Sequence, residues 1–362
     1  MQDTKPKAWL VDDARFDAHV LGGPEHPAYH PERPERLVAA RAAIAESAVE
    51  WSTVPARNAA PEELVRVHDA AYVDSVESLR GRSGYVDPDT YFAPRSVEAA
   101  LLAAGGAVAL VDKLLDADVT DRVNGAGPVR PVSARQGVAL LRPPGHHARA
   151  HQAMGFCLLN NVAIAAAHAI ARGKRRVLIV DWDVHHGNGT QEMFLRSPEV
   201  LYLSLHQFPF YPGTGAAQET GEGEGRGFTV NVPLSAGGGD DVYRSAFEQT
   251  VLPVAMEYAP DLVLVSAGFD ASLRDPLGQM RLSPEAFGWM GKKLRDVADA
   301  SAGGKIGLLL EGGYDLVGLQ AGLAASIAGV VRGEAADIAQ SAETPEDVAH
   351  AVSYARRGWK VG

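Results

Sequence analysis

The chain has 362 residues, 34 basic against 45 acidic side chains and a formal net charge of -11. That balance speaks against direct binding of nucleic acid, which needs clustered Lys and Arg. Hydrophobic residues make up 46% and charged residues 22%, enough for a large buried core, and no stretch reaches the ~20 apolar residues of a membrane helix. A soluble protein with no membrane partner is therefore expected. Cys157 is the single cysteine, which excludes an intrachain disulfide. Met1–Lys7 is polar rather than a signal sequence, so a reducing, cytoplasmic setting is expected.

Ala8–Val11 predicts a first strand. The segment His26–Arg36 is dense in proline and charge and excludes regular structure. Leu37–Ala48 predicts a helix, Ser52–Ala56 a short strand, and Pro61 the first turn of another helix. Asp87-Pro88-Asp89-Thr90 predicts a turn and a helix cap leading into a long helix over Ser96–Leu115, and its aspartates need no other role.

Gly137–Leu141 predicts a buried strand that ends in Arg142-Pro143-Pro144-Gly145-His146-His147-Ala148. Two prolines and a glycine fix the backbone just before adjacent histidines, as a general base requires, although a structural role fits the pair equally well. Gly155 and Phe156 could line a slot or belong to the core. A helix follows over Val162–Arg172.

Val177–Val180 is a short, uncharged, β-branched run, the pattern of a strand buried on both faces of a parallel sheet. It leads into Asp181-Trp182-Asp183-Val184-His185-His186. A spacing of two puts Asp181, Asp183 and His185 on one side of an extended chain, so that Asp183 and His185 could approach one cation. The plain alternative is a solvated loop whose acids cap a helix starting near Thr190.

Val200–Leu205 predicts a strand leaving through His206 and the stiff aromatic loop Phe208–Gly215. Gly221–Gly227 lacks the strand-glycine-helix context of a nucleotide loop. It predicts a hairpin-like connection into the strand Phe228–Val232. Pro260–Ala267 is another strand with Gly268-Phe269-Asp270-Ala271 at its exit, and Lys305–Leu310 the last, with Glu311-Gly312-Gly313-Tyr314-Asp315. Strand after strand ends in glycine plus a reactive side chain, the pattern of one active site across the carboxyl edge of a parallel sheet. A single α/β domain is predicted over 1–362, with a core at about 8–332 and a charged tail, helical at best, over 333–362.

In this order R-P-P-G-H-H-A, D-W-D-V-H-H-G-N-G-T-Q, G-F-D-A and E-G-G-Y-D resemble the histone deacetylase superfamily, specifically its class II branch and the bacterial histone-deacetylase-like amidohydrolases, over about His30–Tyr314. The resemblance implies the arginase-deacetylase fold, an eight-stranded parallel sheet flanked by helices on both faces. It implies a zinc-dependent amidohydrolase acting on Nε-acetyllysine. The alternatives are an acetylpolyamine amidohydrolase and a non-catalytic acyl-lysine binding protein. Asp183, His185 and Asp270 would hold Zn²⁺, or Fe²⁺ or Co²⁺ in its place. His147 would be the general base and acid, with His146 as its electrostatic partner, Asp181 orienting His146 and Asn188 orienting His147. Tyr314 would stabilise the oxyanion. Gly155, Phe156, Tyr211, Leu277 and Gly312 would contact substrate, Tyr211 standing where most relatives have phenylalanine. Arg36 would line an internal acetate-release cavity. Asp181, Asp183, His185, Ser204 and Leu205 would hold a structural K⁺. Partners implied are an acetylated lysine peptide or protein, or a small acetylated amine, with a homo-oligomer plausible. Leu277, in D-P-L-G, lacks the charge to attract a distant ammonium, which favours acetyl-lysine peptides over acetylpolyamines.

Overall fold

The computed structural model describes residues 5–21, 30–120 and 134–361; the expectations for Met1–Thr4 and His26–Tyr29 lie outside the described residues. Eight strands form one sheet: β1 Lys7–Val11, β2 Glu50–Thr53, β3 Gln136–Ala139, β4 Val177–Asp181, β5 Val200–Gln207, β6 Thr229–Leu234, β7 Leu262–Ala267 and β8 Ile306–Leu310. Their order is β2-β1-β3-β8-β7-β4-β5-β6, and every adjacent pair is parallel. The central strands β4, β7 and β8 are buried at every residue, which is why they read as unbroken apolar runs. Edge strand β2 has no fully buried residue. It ends three residues earlier than the sequence pattern predicts, because its register on β1 runs from Lys7↔Glu50 to Leu10↔Thr53.

The main helices are α1 Glu35–Glu46, α2 Ser96–Thr120, α3 Asn161–Ala171, α4 Asn188–Phe194, α5 Pro284–Ser301, α6 Leu316–Ile327 and α7 Glu346–Ala355. They flank the sheet in an α/β layer arrangement, α1 packing on α6 and α6 on α5, α2 on α3. Parallel strands need such crossovers, and each brings the next strand exit back to the same edge. The strands whose exits carry the candidate residues, β3, β8, β7, β4 and β5, are five consecutive neighbours. No helix among the described residues is long and apolar enough to cross a membrane.

Four local expectations are corrected. Glu35 and Arg36, expected to lie outside regular structure, form the first turn of α1, with Pro34 at its N-cap. Asp87–Thr90 is the turn of a two-stranded hairpin, Gly84–Tyr85 against Tyr91–Phe92, rather than the cap of α2; the Asp87 carboxylate accepts the N–H groups of Asp89 and Thr90 at 3.1 and 2.6 Å. Gly221–Gly227 is no hairpin, since β5 and β6 are parallel. The tail is part of the core: α7 packs on β6, burying Val348, Ala351, Val352 and Ala355. Their 3–4 spacing is the stripe of an amphipathic helix.

Candidate active site

Asp183 and His185 follow β4, and Asp270 follows β7. One ligand atom from each lies within 4.8 Å of the other two, with His185 Nδ1 at 3.1 Å from Asp183 Oδ1 and 3.2 Å from Asp270 Oδ2. The remaining carboxylate oxygens hold the loops: Asp183 Oδ2 accepts Gly312 N–H at 2.9 Å and Asp270 Oδ1 accepts Val184 N–H at 2.8 Å. Burial and the Asp183 charge push Asp270 up to about 7. Burial alone would depress His185, but its hydrogen bonds to Asp183 and Asp270 outweigh that and raise it to about 10. The pocket thus favours positive charge. Two carboxylates and one imidazole, converging and buried, fit a divalent cation of the zinc type with coordination positions left open.

The tandem histidines leave β3. His146 Nδ1 lies 3.0 Å from Asp181 Oδ2, which also accepts the Tyr202 hydroxyl at 3.0 Å. Burial works against a charge on His146, but Asp181 and Asp183 overcome it and raise its pKa to about 10. His147 goes the other way. Burial, then the charges on His146 and His185, hold it well below the usual histidine value. Its Nδ1 is 2.9 Å from Asn188 Oδ1; since that oxygen can only accept, Nδ1 carries the proton and Nε2 is a free base. The turn is held by Glu311, a residue outside the predicted site, whose buried Oε2 accepts the N–H groups of Gly145 and His146 at 2.6 and 3.1 Å.

A cavity of about 260 Å³ is lined by His147, His185 and Tyr314 together with Gly155, Phe156, Tyr211 and Leu277 of the predicted contact residues, and by Asp89 and Phe210. Phe156 meets the Tyr314 ring edge-on at 5.7 Å, Tyr211 meets His147 edge-on at 5.2 Å, and Phe210 stacks on His185 at 5.4 Å. Gly155 and Phe156 both have positive φ, 56° and 68°. For phenylalanine that conformation costs on the order of 1–3 kcal/mol, a strain typical of ligand sites. A Cβ on Gly155 would lie 2.4 Å from the His147 ring, and one on Gly312 2.2 Å from Asp270 Oδ2, so Gly312 serves the ligand loop by close approach and is absent from the cavity wall.

Arg36 lies behind Tyr314, its guanidinium carbon 5.0 Å from the ring centroid. Its Nε donates to Gly313 O at 2.7 Å, its Nη2 to Glu311 O, and its Nη1 to Glu32 Oε1 at 3.3 Å. Glu32 also takes a bidentate pair from Arg142, at 2.6 and 2.9 Å, and faces His19 at 3.4 Å. This buried charged cluster forms the wall beneath the site. Asp181 and Ser204 are paired across β4 and β5. Because His206 Nε2 lies 2.9 Å from Gly215 O, it carries the ring proton, and the Ser204 hydroxyl donates to Nδ1 at 2.9 Å.

Sequence reasoning missed Asp89, Phe210, Glu311 and Asp275. Asp89 read as a cap, and nothing in its spacing signals that the hairpin folds over the cavity. Phe210 had a signal in its place next to Tyr211. Glu311 and Asp275 stood in conspicuous motifs, E-G-G-Y and D-P-L-G, but a buried carboxylate that holds backbone N–H groups of distant loops cannot be told from a solvated one by pattern.

A family model, the histone deacetylase domain, matches residues 30–330. Histone deacetylase 15 of Arabidopsis thaliana is 45% identical over 306 residues, 82% of this chain and 52% of that protein. Polyamine deacetylase HDAC10 of Homo sapiens is 43% identical, covering 80% and 43%. A histone deacetylase-like amidohydrolase of Pseudomonas aeruginosa is 42% identical, covering 71% and 64%. The chain thus spans about half the length of the curated relatives it matches. The crystal structure of the HDA15 HD domain superposes with a TM-score of 0.84 at 39% identity, covering 98% of this chain and 95% of that one. With the sheet order, the tandem histidines and the Asp-His-Asp cluster on the same scaffold, the chain belongs to the histone deacetylase family.

Proposed function

We propose that the chain is a zinc-dependent hydrolase of Nε-acetyllysine amides. The observation that carries this is geometric: His147, held through Nδ1 by Asn188 Oδ1, lines one cavity with His185 of the Asp183-His185-Asp270 cluster and with Tyr314. Asp183, His185 and Asp270 would hold the divalent cation, which when bound would supply Lewis-acid activation of the amide carbonyl and of water. His147 accepts the proton of the attacking water at Nε2 and returns it to the leaving amine, so the amide yields acetate and a free amine. His146, protonated and held by Asp181, keeps its neighbour's pKa low. Tyr314 donates its hydroxyl to the carbonyl oxygen as negative charge grows there. Tyr211, Phe210 and Phe156 enclose an aliphatic stem with aromatic surface, and Asp89 at the same cavity accepts hydrogen bonds from a peptide backbone. We assign Arg36 to the path by which acetate leaves. Asp181, Asp183, His185, Ser204 and Leu205 would hold a structural K⁺ at the β4 exit, and 1–362 would form one deacetylase domain acting in the cytoplasm.

The polyamine reading stays in play through the human relative's name. Leu277 lines the cavity and offers an acetylpolyamine's distal ammonium no charge, which favours peptides. Turnover of an acetyl-lysine peptide and of N-acetylspermidine by zinc-loaded wild type and Leu277→Glu tests both points. We expect the peptide to be preferred and the variant to gain on the polyamine. Absence of turnover with zinc, cobalt and iron would leave only an acyl-lysine binder; a wild-type preference for the polyamine would reverse the substrate assignment.

A further inference from the structure

Resting on the role given to Tyr314 above, we infer that Asp275 is the positioning residue that sets the oxyanion donor and ties it to the mouth of the cavity. The Tyr314 turn has no stiffness of its own. Gly312 and Gly313 precede it, and Gly313 takes a φ of 117° that only glycine adopts readily. The placement of the tyrosine therefore comes from outside the turn, through clamps on three residues, Gly312 (whose carbonyl also accepts Phe269 N–H at 3.1 Å), Gly313 and Tyr314. Gly312 N–H donates to Asp183 Oδ2 at 2.9 Å, and Gly313 O accepts from Arg36 Nε at 2.7 Å. The third clamp is Asp275, whose Oδ2 accepts the N–H of Tyr314 at 2.6 Å and of Asp315 at 3.0 Å.

The other oxygen, Oδ1, accepts the N–H of Leu277 at 2.9 Å. One carboxylate, 7% exposed, thus fixes the donor at the bottom of the cavity and the side chain at its rim. Its neighbour Arg274 does not compete, pairing with Asp315 at 2.9 Å. An ionised carboxylate is suited to this because it accepts at every lone pair; an amide of the same shape must turn an NH₂ toward either Leu277 N–H or the two N–H groups of the tyrosine turn, donor against donor. Misplacement of a reacting group by about 1 Å costs up to roughly 100-fold in rate.

The test is a double-mutant cycle on zinc-loaded protein, with Asp275→Asn and Asp275→Ser each made in wild type and in Tyr314→Phe, reading kcat, KM, zinc content and the unfolding midpoint. In the wild-type background we expect kcat to fall about 10- to 100-fold with zinc content unchanged. In the Tyr314→Phe background the same substitutions should cost less than about threefold, because the donor they position is already gone. A structural role would lower activity by the same factor in both backgrounds, and that result overturns the assignment. So would loss of zinc or of cooperative unfolding in both Asp275 variants, since a clamp on one turn does not hold the core. Wild-type turnover separates the two levels: its absence refutes the hydrolase reading, whereas additive variants of an active enzyme refute the role of Asp275 alone.

Discussion

Replacing Glu32 with glutamine should cost about 3 kcal/mol of folding stability at neutral pH. Glu32 is fully buried, held by Arg142 at 2.6 and 2.9 Å and by Arg36 at 3.3 Å. Burial opposes its charge, but the two guanidiniums and His19 win, lowering the carboxyl from 4.5 to about 2. At 1.36 kcal/mol per pKa unit that shift corresponds to about 3 kcal/mol, in line with roughly 3–5 kcal/mol for removing one partner of a buried pair. The sign follows from linkage. The folded pKa lies below the unfolded one, so the stabilisation is complete above pH 4.5 and is lost as pH falls toward 2. His19, which burial lowers from 6.5 to about 3, makes both proteins less stable as pH drops below 6.5, and that loss cancels in the difference. Urea unfolding of wild type and Glu32→Gln at pH 7.5, 6 and 5 should give a gap of about 3 kcal/mol that stays level across the three. A gap under about 1 kcal/mol, or one that closes between pH 7.5 and 5, would refute the assignment of a stabilising buried carboxylate.

Tyr314→Phe should lower kcat by about two to three orders of magnitude with zinc content unchanged, because one transition-state donor is removed while the ring keeps its contacts; near-normal kcat would end its role. The acid limb of kcat/KM should lie below pH 6.5, since burial and neighbouring charge keep His147 unprotonated. Asn188→Asp places a carboxylate at the Nδ1 contact and should move that limb upward; an unchanged pH profile counts against His147 as the base. Deleting 346–361 uncovers β6 and the apolar stripe of α7. At about 1.5–3 kcal/mol per large apolar side chain, urea unfolding should show a loss of several kcal/mol, and a protein of undiminished stability would show that α7 adds nothing to the core.

Much of this molecule is written locally. The strands buried on both faces each coincide with an apolar run read from the sequence, because such a strand has no polar positions to disguise it; edge strand β2, Glu-Trp-Ser-Thr with no buried residue, is only half overlapped by the expected Ser52–Ala56. The candidate chemistry was legible for a related reason: His146-His147, Asp183-His185, Asp270 and Tyr314 each stand where such a run stops, and a parallel sheet turns every stop toward one edge. The order β3-β8-β7-β4-β5 that makes neighbours of these exits is a tertiary fact, set by which crossovers pack on which face. So are the partners that give each group its state. His146 and His147 are adjacent in sequence and chemically alike, yet one faces Asp181 and the other Asn188, so one is driven to carry a proton and the other to lose it. The carboxylates of Glu311, Asp275 and Glu32 look like surface acids in a sequence, where nothing tells a solvated side chain from a buried one. Only folding decides that two of them hold the backbone of the His146 and Tyr314 turns and the third balances two buried arginines.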